Sequence, residues 1–310
     1  MSDLPRKTGR AQLPSTEVKD LLEAAYAANT RRAYRSDIAS FLEWGGSIPS
    51  TPEEIAAFIA FRANNCTVAT IRRQMAALSS LHTSLGYLPN PLKSRLIAST
   101  MRGLDRIHGQ PQRAVEPLLI EQLRLILDGM PASPVGKRDA ALLTIGFAGA
   151  MRRSELVGID FEDIDVVSAG IRIMIRRSKI DQSGRGRIIA VPRGWTRYCP
   201  IRYLEAWTDE LADQEGAVFR SCSKGGRVNS ARLSVEAVAT IVKRHVERIG
   251  LNPTKYSGHS LRAGYVTSAV QVGAAEHSIR KQTGHASSAT MERYIRLANL
   301  FEDNPTGLMF

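Results

Sequence analysis

The sequence predicts a mainly α-helical fold with one small antiparallel β-sheet, divided between two domains. Apolar residues recur at helical spacing through most of the chain, as Val68, Ile71 and Met75 do. Strand periodicity is confined to the segments DIDVV, IRIMIRR and RIIAVP. After the first group of helices, residues 109–113 carry Gly and Pro among polar residues, which is typical of an interdomain linker.

The first domain is predicted to be helical over residues 15–108. Thr51 followed by Pro52 and Glu53 is a strong helix start, because it combines a side-chain cap, a proline in the first turn and an acidic residue near the positive end of the helix. Thr30 is predicted to cap the preceding helix. The helices of this domain are expected over residues 15–28, 30–44, 51–62, 67–85 and 93–107.

The second domain is predicted to be helical around its small sheet. The helix over residues 135–149 contains ALLTIGFAGA, which is apolar on every side, and it is therefore expected at the centre of the domain. The second and third strands flank a turn over residues 181–186, which favours an antiparallel arrangement. The remaining helices are expected over residues 117–128, 197–212, 231–249, 259–272, 276–283 and 287–299.

The charge of the chain favours a polyanionic partner. Its 310 residues include 42 basic and 30 acidic residues, which give a net charge of +12 and a pI near 10.0. The basic excess is spread over both domains, so that each could contact a nucleic acid. Charge alone leaves open a merely basic protein without such a partner.

Several classes of protein are disfavoured by the composition. Cys66, Cys199 and Cys222 are far apart and lack CxxC spacing, so neither a disulfide framework nor a zinc site is expected, and a reducing cytoplasm is the expected compartment. The N-terminus lacks the apolar segment of a signal peptide, and no apolar run is long enough to cross a membrane. No carboxylate or cysteine cluster has metal-ligand spacing, so no metal site is expected. No cofactor and no small-molecule substrate are predicted either.

Chemically informative residues concentrate between Ser257 and Arg296. His259 and Arg262 stand three residues apart and share a face if the segment is helical. His285 follows a Thr-Gly turn, and Tyr294 lies on the next predicted helix. In a basic chain this arrangement is compatible with a tyrosine nucleophile directed at a phosphate, and equally with a tyrosine that only packs near histidines.

Phosphate chemistry would need groups from elsewhere in the chain. A tyrosine ester conserves the energy of a phosphodiester, guanidinium groups match the oxygens that gain charge, and a lysine can protonate the leaving oxygen. Arg152 follows the apolar helix, with Glu155 three residues later, and Lys179 precedes the turn between two strands. The alternatives without a functional role are an ordinary helix ion pair between Arg152 and Glu155 and a solvent-exposed position for Lys179 in the hairpin.

These segments together resemble the tyrosine recombinase (phage integrase) family, from about residue 15 to about residue 300. AMRRSEL resembles the first arginine box, RRSKIDQSGRG the catalytic-lysine hairpin, SGHSLRAG the His-x-x-Arg box and TGHASSATMERYIR the box with the tyrosine. NTRRAYRSDIASFLEW resembles the start of the core-binding domain. In the form of their boxes, the Cre-like members of the family are the most similar.

The resemblance implies a role for each matched residue. Tyr294 would be the nucleophile and form a 3′-phosphotyrosyl link, while Arg152 and Arg262 would hold the scissile phosphate. His259 would assist proton removal from the tyrosine or bind the phosphate.

Three further roles follow from the same resemblance. Lys179 would protonate the leaving 5′-oxygen, His285 would bind a nonbridging oxygen, and Glu155 would orient the site. These residues would cleave and rejoin DNA without a cofactor.

The resemblance also implies a two-domain DNA clamp. Residues 15–108 would form the core-binding domain and residues 114–297 the catalytic domain, joined by the linker at 109–113. About 14 residues, expected to be a flexible basic tail, precede the first helix, too few for an arm-binding domain; this favours a Cre- or Xer-type recombinase. Phosphate contacts are expected from the basic residues Arg31, Arg32, Arg35, Arg72, Arg73, Arg95, Arg102 and Arg106.

The expected partner is a double-stranded DNA recombination site, with a homotetramer assembled on two such sites. Residues 298–310 are more apolar than a solvated tail requires, and they are expected to dock in trans on a neighbouring protomer. Two alternatives stay open: a type IB topoisomerase-like enzyme, which would relax supercoils as a monomer, and a DNA-binding protein without catalysis.

Overall fold

The computed structural model describes residues 28–109, 115–176, 186–223 and 225–284, together with residues 306 and 309. The chain divides into two compact units, residues 1–113 and residues 114–310. The described elements are mainly helices with two small antiparallel sheets, so the predicted fold class is confirmed. Within the described residues, no helix combines the length and the apolar character needed to span a bilayer.

The first unit is built from four described helices. They are α1 (Ala28–Glu43), α2 (Pro52–Ala63), α3 (Val68–Ser84) and α4 (Arg95–His108). Side-chain oxygens cap three of them, because Thr51, Thr67 and Ser94 accept hydrogen bonds from the first-turn amides of α2, α3 and α4. Their apolar faces meet in one core, which contains Phe41, Ile55, Phe58, Ile59, Ile71, Met75, Leu78, Ile97 and Leu104.

Two predicted helix starts in this unit differ from the structure. Thr30 lies inside α1 rather than at its cap, since Ala28 and Asn29 are already helical and alanine favours a helix. The helix predicted from residue 93 starts at Arg95, because Pro91–Lys93 form a separate 3-10 turn and Ser94 supplies the cap.

The second unit surrounds a central helix. It contains α5 (Ile120–Asp128), α6 (Pro134–Ala148), α7 (Arg153–Val157), α8 (Pro200–Thr208), α9 (Val235–Arg248), α10 (Ser260–Gln271) and α11 (Glu276–Thr283). Helix α6 is buried along almost its whole length, as its apolar sequence predicts. It packs against α8 and α10, and its C-terminal end leads directly into the first arginine box.

A three-stranded antiparallel sheet lies against this helical core, as predicted. Its strands are β1 (Ile164–Val167), β2 (Gly170–Ile175) and β3 (Arg187–Pro192), in the order β1-β2-β3. Ile175 pairs with Arg187 across the sheet, and alternate residues of both strands face the core. Arg187 therefore starts its strand on the face that carries Ile189 and Val191.

A second sheet was not predicted. The short strands β4 (Arg220–Cys222) and β5 (Val228–Arg232) pair in antiparallel fashion, and α9 begins only at Val235, so the helix expected over 231–249 is shorter. Both strands are too short and too polar to show alternation. The helix expected over 197–212 is likewise shorter, because Pro200 occupies its first turn and cannot continue a helix from before it. The helices predicted over 15–28, apart from its last residue, and over 287–299 lie outside the described residues.

Candidate active site

The candidate site begins at the turn that follows α6. Arg152 has an extended backbone conformation immediately before α7, and its amide donates to Glu155 Oε2 at 3.0 Å. The Arg152 guanidinium donates from Nη1 to Glu155 Oε1 at 2.6 Å. The side chain of Glu155 is 1% exposed and that of Arg152 is 19% exposed. The carboxylate thus fixes both the backbone and the guanidinium of Arg152, while the guanidinium still reaches the surface.

The carboxylate of Glu155 is ionised despite its burial. Burial alone would raise the pKa of Glu155, but hydrogen bonds from the Arg152 amide and guanidinium, with the charges of Arg187 and Arg152, hold it below its ordinary value. A negative charge at this position is therefore stable at neutral pH.

Arg262 connects the two arginine boxes. It lies on α10 and is 1% exposed. Its Nη1 donates to the main-chain oxygen of Ala150 at 2.7 Å. Ala150 has φ +46°, in the left-handed region, so the chain turns sharply between the end of α6 and Arg152. The Arg262 guanidinium thus lies beside the turn that presents Arg152.

His259 lies at the N-terminal end of α10, and its amide donates to Ser257 Oγ at 3.1 Å. The pKa of this imidazole lies below its ordinary value, because lost hydration disfavours the imidazolium and the positive charges of Arg262, Arg152 and Arg153 disfavour it further. The neutral ring is consequently favoured near neutral pH, and a neutral ring can accept a proton.

Two glycines of the His-x-x-Arg box allow it to pack closely against neighbouring segments. A Cβ atom at Gly258 would overlap the side chain of Arg153, and one at Gly264 would overlap the main-chain oxygen of Leu118. Gly258 therefore brings the His259 segment against α7, and Gly264 lets α10 pack closely on the segment before α5. These contacts explain the glycines of SGHSLRAG in physical terms.

The site also includes two residues that the sequence analysis missed. Arg187 donates from Nη2 to Glu155 Oε2 at 3.0 Å and from Nη1 to the main-chain oxygen of Gln282 at 2.7 Å. Gln282 donates from Nε2 to the main-chain oxygens of Ala148, at 2.8 Å, and Ala190, at 3.0 Å. A signal for Arg187 exists in the strand alternation, which places this charged residue on the core face. No comparable signal marks Gln282, because its acceptors are main-chain atoms of distant elements.

The structure thus brings together Arg152, Glu155, His259 and Arg262. The other predicted catalytic residues, Lys179, His285 and Tyr294, lie outside the described residues, and so does the tail over 298–310. Within the part of the chain that the structure describes, no three His, Cys, Asp or Glu side chains are grouped so that they could hold a metal ion.

The arginines predicted to bind DNA all lie on the first unit. Arg72 donates to both carboxylate oxygens of Asp105 at 2.7 Å, and Arg73 forms a two-bonded pair with the buried Asp37 at 2.8 and 2.9 Å. These two arginines join helices to each other, yet their side chains remain 60% and 50% exposed. Of the other predicted arginines, Arg31 is half-buried. The exposed ones are Arg32, Arg35, Arg95, Arg102 and Arg106.

Comparison with protein families gives one match that covers more than half of the chain. The model described as the phage integrase family matches residues 117–300, which include both arginine boxes and the tyrosine box.

Curated relatives extend the similarity to both units. An "Integrase/recombinase xerD homolog" of Selenomonas ruminantium is 36% identical over 305 residues, which cover 96% of this chain and 89% of that protein. "Tyrosine recombinase XerD" of Chlorobaculum tepidum is 28% identical over 299 residues, which cover 90% of each protein.

Solved structures share the fold. The lambda integrase fragment 75–356, solved as a dimer bound to a COC′ core site, has a TM-score of 0.63 at 17% identity, covering 89% of this chain and 92% of that chain. XerH site-specific recombinase bound to its difH substrate in a post-cleavage complex has a TM-score of 0.59 at 20% identity, covering 82% of this chain and 69% of that chain.

Proposed function

The chain belongs to the phage integrase family and is a tyrosine recombinase, and we propose that it is a site-specific recombinase that cleaves and rejoins DNA through a 3′-phosphotyrosyl intermediate on Tyr294. One observation carries the proposal for this chain. Arg262 Nη1 donates to the main-chain oxygen of Ala150 at 2.7 Å, so the guanidinium of one box supports the turn that leads to the arginine of the other.

The paired guanidiniums suit a phosphodiester. Glu155 fixes one end of the Arg152 guanidinium and leaves the rest of that group available at a partly exposed surface. Guanidinium groups bind phosphate oxygens through two parallel hydrogen bonds, and their charge stabilises the negative charge that develops in the transition state. Arg152 and Arg262 are therefore the proposed phosphate clamp.

The first chemical step forms one bond and breaks one. The phenolic oxygen of Tyr294 bonds to phosphorus as the bond from phosphorus to the 5′-oxygen breaks, and the energy of the phosphodiester stays in the tyrosyl ester. His259, whose neutral form is favoured, takes the phenolic proton, and Lys179 gives a proton to the departing 5′-oxygen. His285 is proposed to bind a nonbridging oxygen.

Rejoining runs the same step in reverse with a different 5′-hydroxyl. The incoming hydroxyl loses its proton to Lys179, its oxygen attacks the phosphotyrosyl phosphorus, and Tyr294 leaves with the proton held by His259. A strand that attacks from another duplex produces recombination, and the original strand restores the substrate.

The proposed partner is double-stranded DNA, bound by both units. The net charge of +12 and the exposed arginines of the first unit support phosphate contacts, whose strength should fall steeply with salt. Four protomers on two DNA sites are the proposed assembly, with residues 298–310 of each docked on a neighbour. Deletion of 298–310 should abolish synapsis; unchanged synapsis and cleavage by the shortened chain would refute the docking.

The experiment for the proposed function is a trapping assay. A nicked duplex is built from an inverted repeat in the DNA that flanks the gene, so that cleavage releases a short strand and cannot be reversed. Wild-type protein should form a covalent adduct that is resistant to denaturation, and Tyr294→Phe should form none. Tight binding without an adduct on the same duplex would indicate a DNA-binding protein instead. The control Tyr203→Phe replaces a tyrosine of α8 and should leave the adduct unchanged.

A further inference from the structure

We propose that Arg187 is a positioning residue of the reaction, which holds the end of α11 against Glu155 and thereby sets the segment that follows α11 relative to Arg152. The inference rests on the proposed function, since Tyr294 and His285 belong to that following segment. It concerns a residue of strand β3 that belongs to neither arginine box.

The guanidinium of Arg187 bridges two elements that are far apart in the chain. Its Nη2 donates to Glu155 Oε2 at 3.0 Å, and its Nη1 donates to the main-chain oxygen of Gln282 at 2.7 Å. Glu155 Oε1 in turn accepts from Arg152 at 2.6 Å. A continuous series of hydrogen bonds therefore runs from the proposed phosphate clamp to the last turn of α11.

The charge of Arg187 is as important as its bonds. Glu155 is 1% exposed, and the side chain of Arg187 is 20% exposed, so water contributes little to their interaction. With Arg187 present, the carboxylate has a second cation and Arg152 retains positive charge for a phosphate. Without Arg187, Arg152 alone would neutralise Glu155, and the clamp would stabilise less of the negative charge that develops on the phosphate in the transition state.

The contact with Gln282 also suits the end of a helix. The last carbonyls of α11 carry partial negative charge, which a guanidinium satisfies. Gly284 ends the helix with φ +65°, and a Cβ atom there would lie 3.1 Å from Arg187 Cζ. The Arg187 guanidinium therefore packs against Gly284, the residue before His285.

Gln282 fixes the same turn from its other side. Its side chain donates to the main-chain oxygen of Ala148 at the end of α6 and to that of Ala190 in β3. Together, Arg187 and Gln282 attach the end of α11 to both the central helix and the sheet. A misplacement of about 1 Å at a reacting group costs about 100-fold in rate, so loss of this attachment should reduce cleavage.

The test compares Arg187→Gln and Arg187→Lys with wild type in single-turnover cleavage of the nicked duplex and in its noncovalent binding. Arg187→Gln should cleave about 10- to 100-fold more slowly, with binding within about twofold of wild type. Arg187→Lys retains the charge but has a single nitrogen donor, so its cleavage rate should lie between those of Arg187→Gln and wild type. If Arg187→Gln is poorly folded, the cleavage and binding of Arg187→Lys are compared with those of wild type instead.

A control removes an exposed arginine–glutamate ion pair just beyond the other end of the same strand. Arg193 donates to Glu205 at 2.7 Å, and both side chains are exposed. Arg193→Gln should bind and cleave like wild type. The proposal is overturned if Arg187→Gln cleaves like Arg193→Gln, or if its cleavage falls only in proportion to its DNA binding or to its folded fraction. Absence of an adduct with wild-type protein would instead refute the proposed function itself.

The titration of Glu155 separates positioning from a merely structural role. Loss of the Arg187 charge should raise the pKa of Glu155, and NMR titration of the Glu155 carboxyl in wild type and Arg187→Gln measures that shift. Asp163 and Arg176 line the same small cavity beside Glu155 and already pair with each other at 2.5 Å. An unchanged pKa of Glu155 in Arg187→Gln would contradict the proposal.

Discussion

Arg262 Nη1 donates to the main-chain oxygen of Ala150 at 2.7 Å, so a side chain of α10 supports the turn on which Arg152 lies. Arg262 and Ala150 are 112 positions apart in the chain. The position of the first arginine thus depends on the second, and neither box forms a phosphate site by itself.

Replacement of Arg262 should therefore affect both the charge and the geometry of the clamp. Arg262→Gln is expected to lower the single-turnover rate of DNA cleavage by about 100- to 1,000-fold, the effect of removing one preorganised donor to a developing anion. Arg172→Gln is the control, because it removes an exposed ion pair with Asp165 at 3.2 Å. Wild-type cleavage by Arg262→Gln would show that this guanidinium does not contact the reacting phosphate.

The left-handed turn at Ala150 makes a prediction about stability. Ala150 is fully buried and has φ +46°, a conformation that costs a β-branched residue far more than alanine. Ala150→Val should reduce the free energy of unfolding by about 2 kcal/mol or more, through backbone strain and crowding. Ala150→Gly should stay within about 1 kcal/mol of wild type, since glycine adopts this conformation freely but leaves a methyl-sized space. Urea denaturation of both variants provides the measurement, and equal stabilities would contradict the turn geometry.

Gly264 offers a test of how closely α10 approaches its neighbour. A Cβ atom there would overlap the main-chain oxygen of Leu118, which is itself fully buried. Gly264→Ala should destabilise the second unit by about 1–3 kcal/mol, the usual cost of overpacking. The control is Gly103→Ala in α4, where nothing lies within 4 Å of the added atom and the better helix former should stabilise the first unit. If Gly264→Ala and Gly103→Ala lowered the midpoint of thermal denaturation equally, the close packing at Gly264 would be refuted.

His259 should titrate below the ordinary range for histidine. A lowered pKa means that the neutral ring persists as the pH falls, so the loss of cleavage that depends on proton transfer to His259 should occur at a more acidic pH than for an isolated imidazole. Arg152→Gln removes one of the positive charges and should raise the pKa of His259. Titration followed by NMR measures both effects in the free protein. Arg193→Gln, which alters a pair elsewhere on the surface, should leave the titration unchanged.

Much of this arrangement can be predicted from the sequence because it depends on local chemistry. The caps at Thr51 and Thr67 and the central position of α6 follow from residue types and periodicity within each element. The ion pair of Arg152 with Glu155 is also local, since the two residues are three positions apart.

The remaining features depend on contacts between elements. Arg187 and Gln282 act on main-chain oxygens and on a carboxylate from distant parts of the chain, and sequence spacing carries no record of such partners. The strands β4 and β5 are short and pair with each other only in the folded unit. Thr30 lies inside α1 because a residue that often caps helices can also lie within one when the preceding residues favour helical structure.

Helix α11 is attached to the rest of its unit mostly by polar contacts. Of its residues, Ile279 supplies the buried apolar side chain, in a small cluster with Val266 of α10. An element with so little apolar burial opens at a lower free energy than the core around α6. Its amide hydrogens should therefore exchange with solvent deuterium well before those of α6. Undocking of this one helix would break the hydrogen bonds that join Gln282 to Arg187 and Ala148 without unfolding the domain.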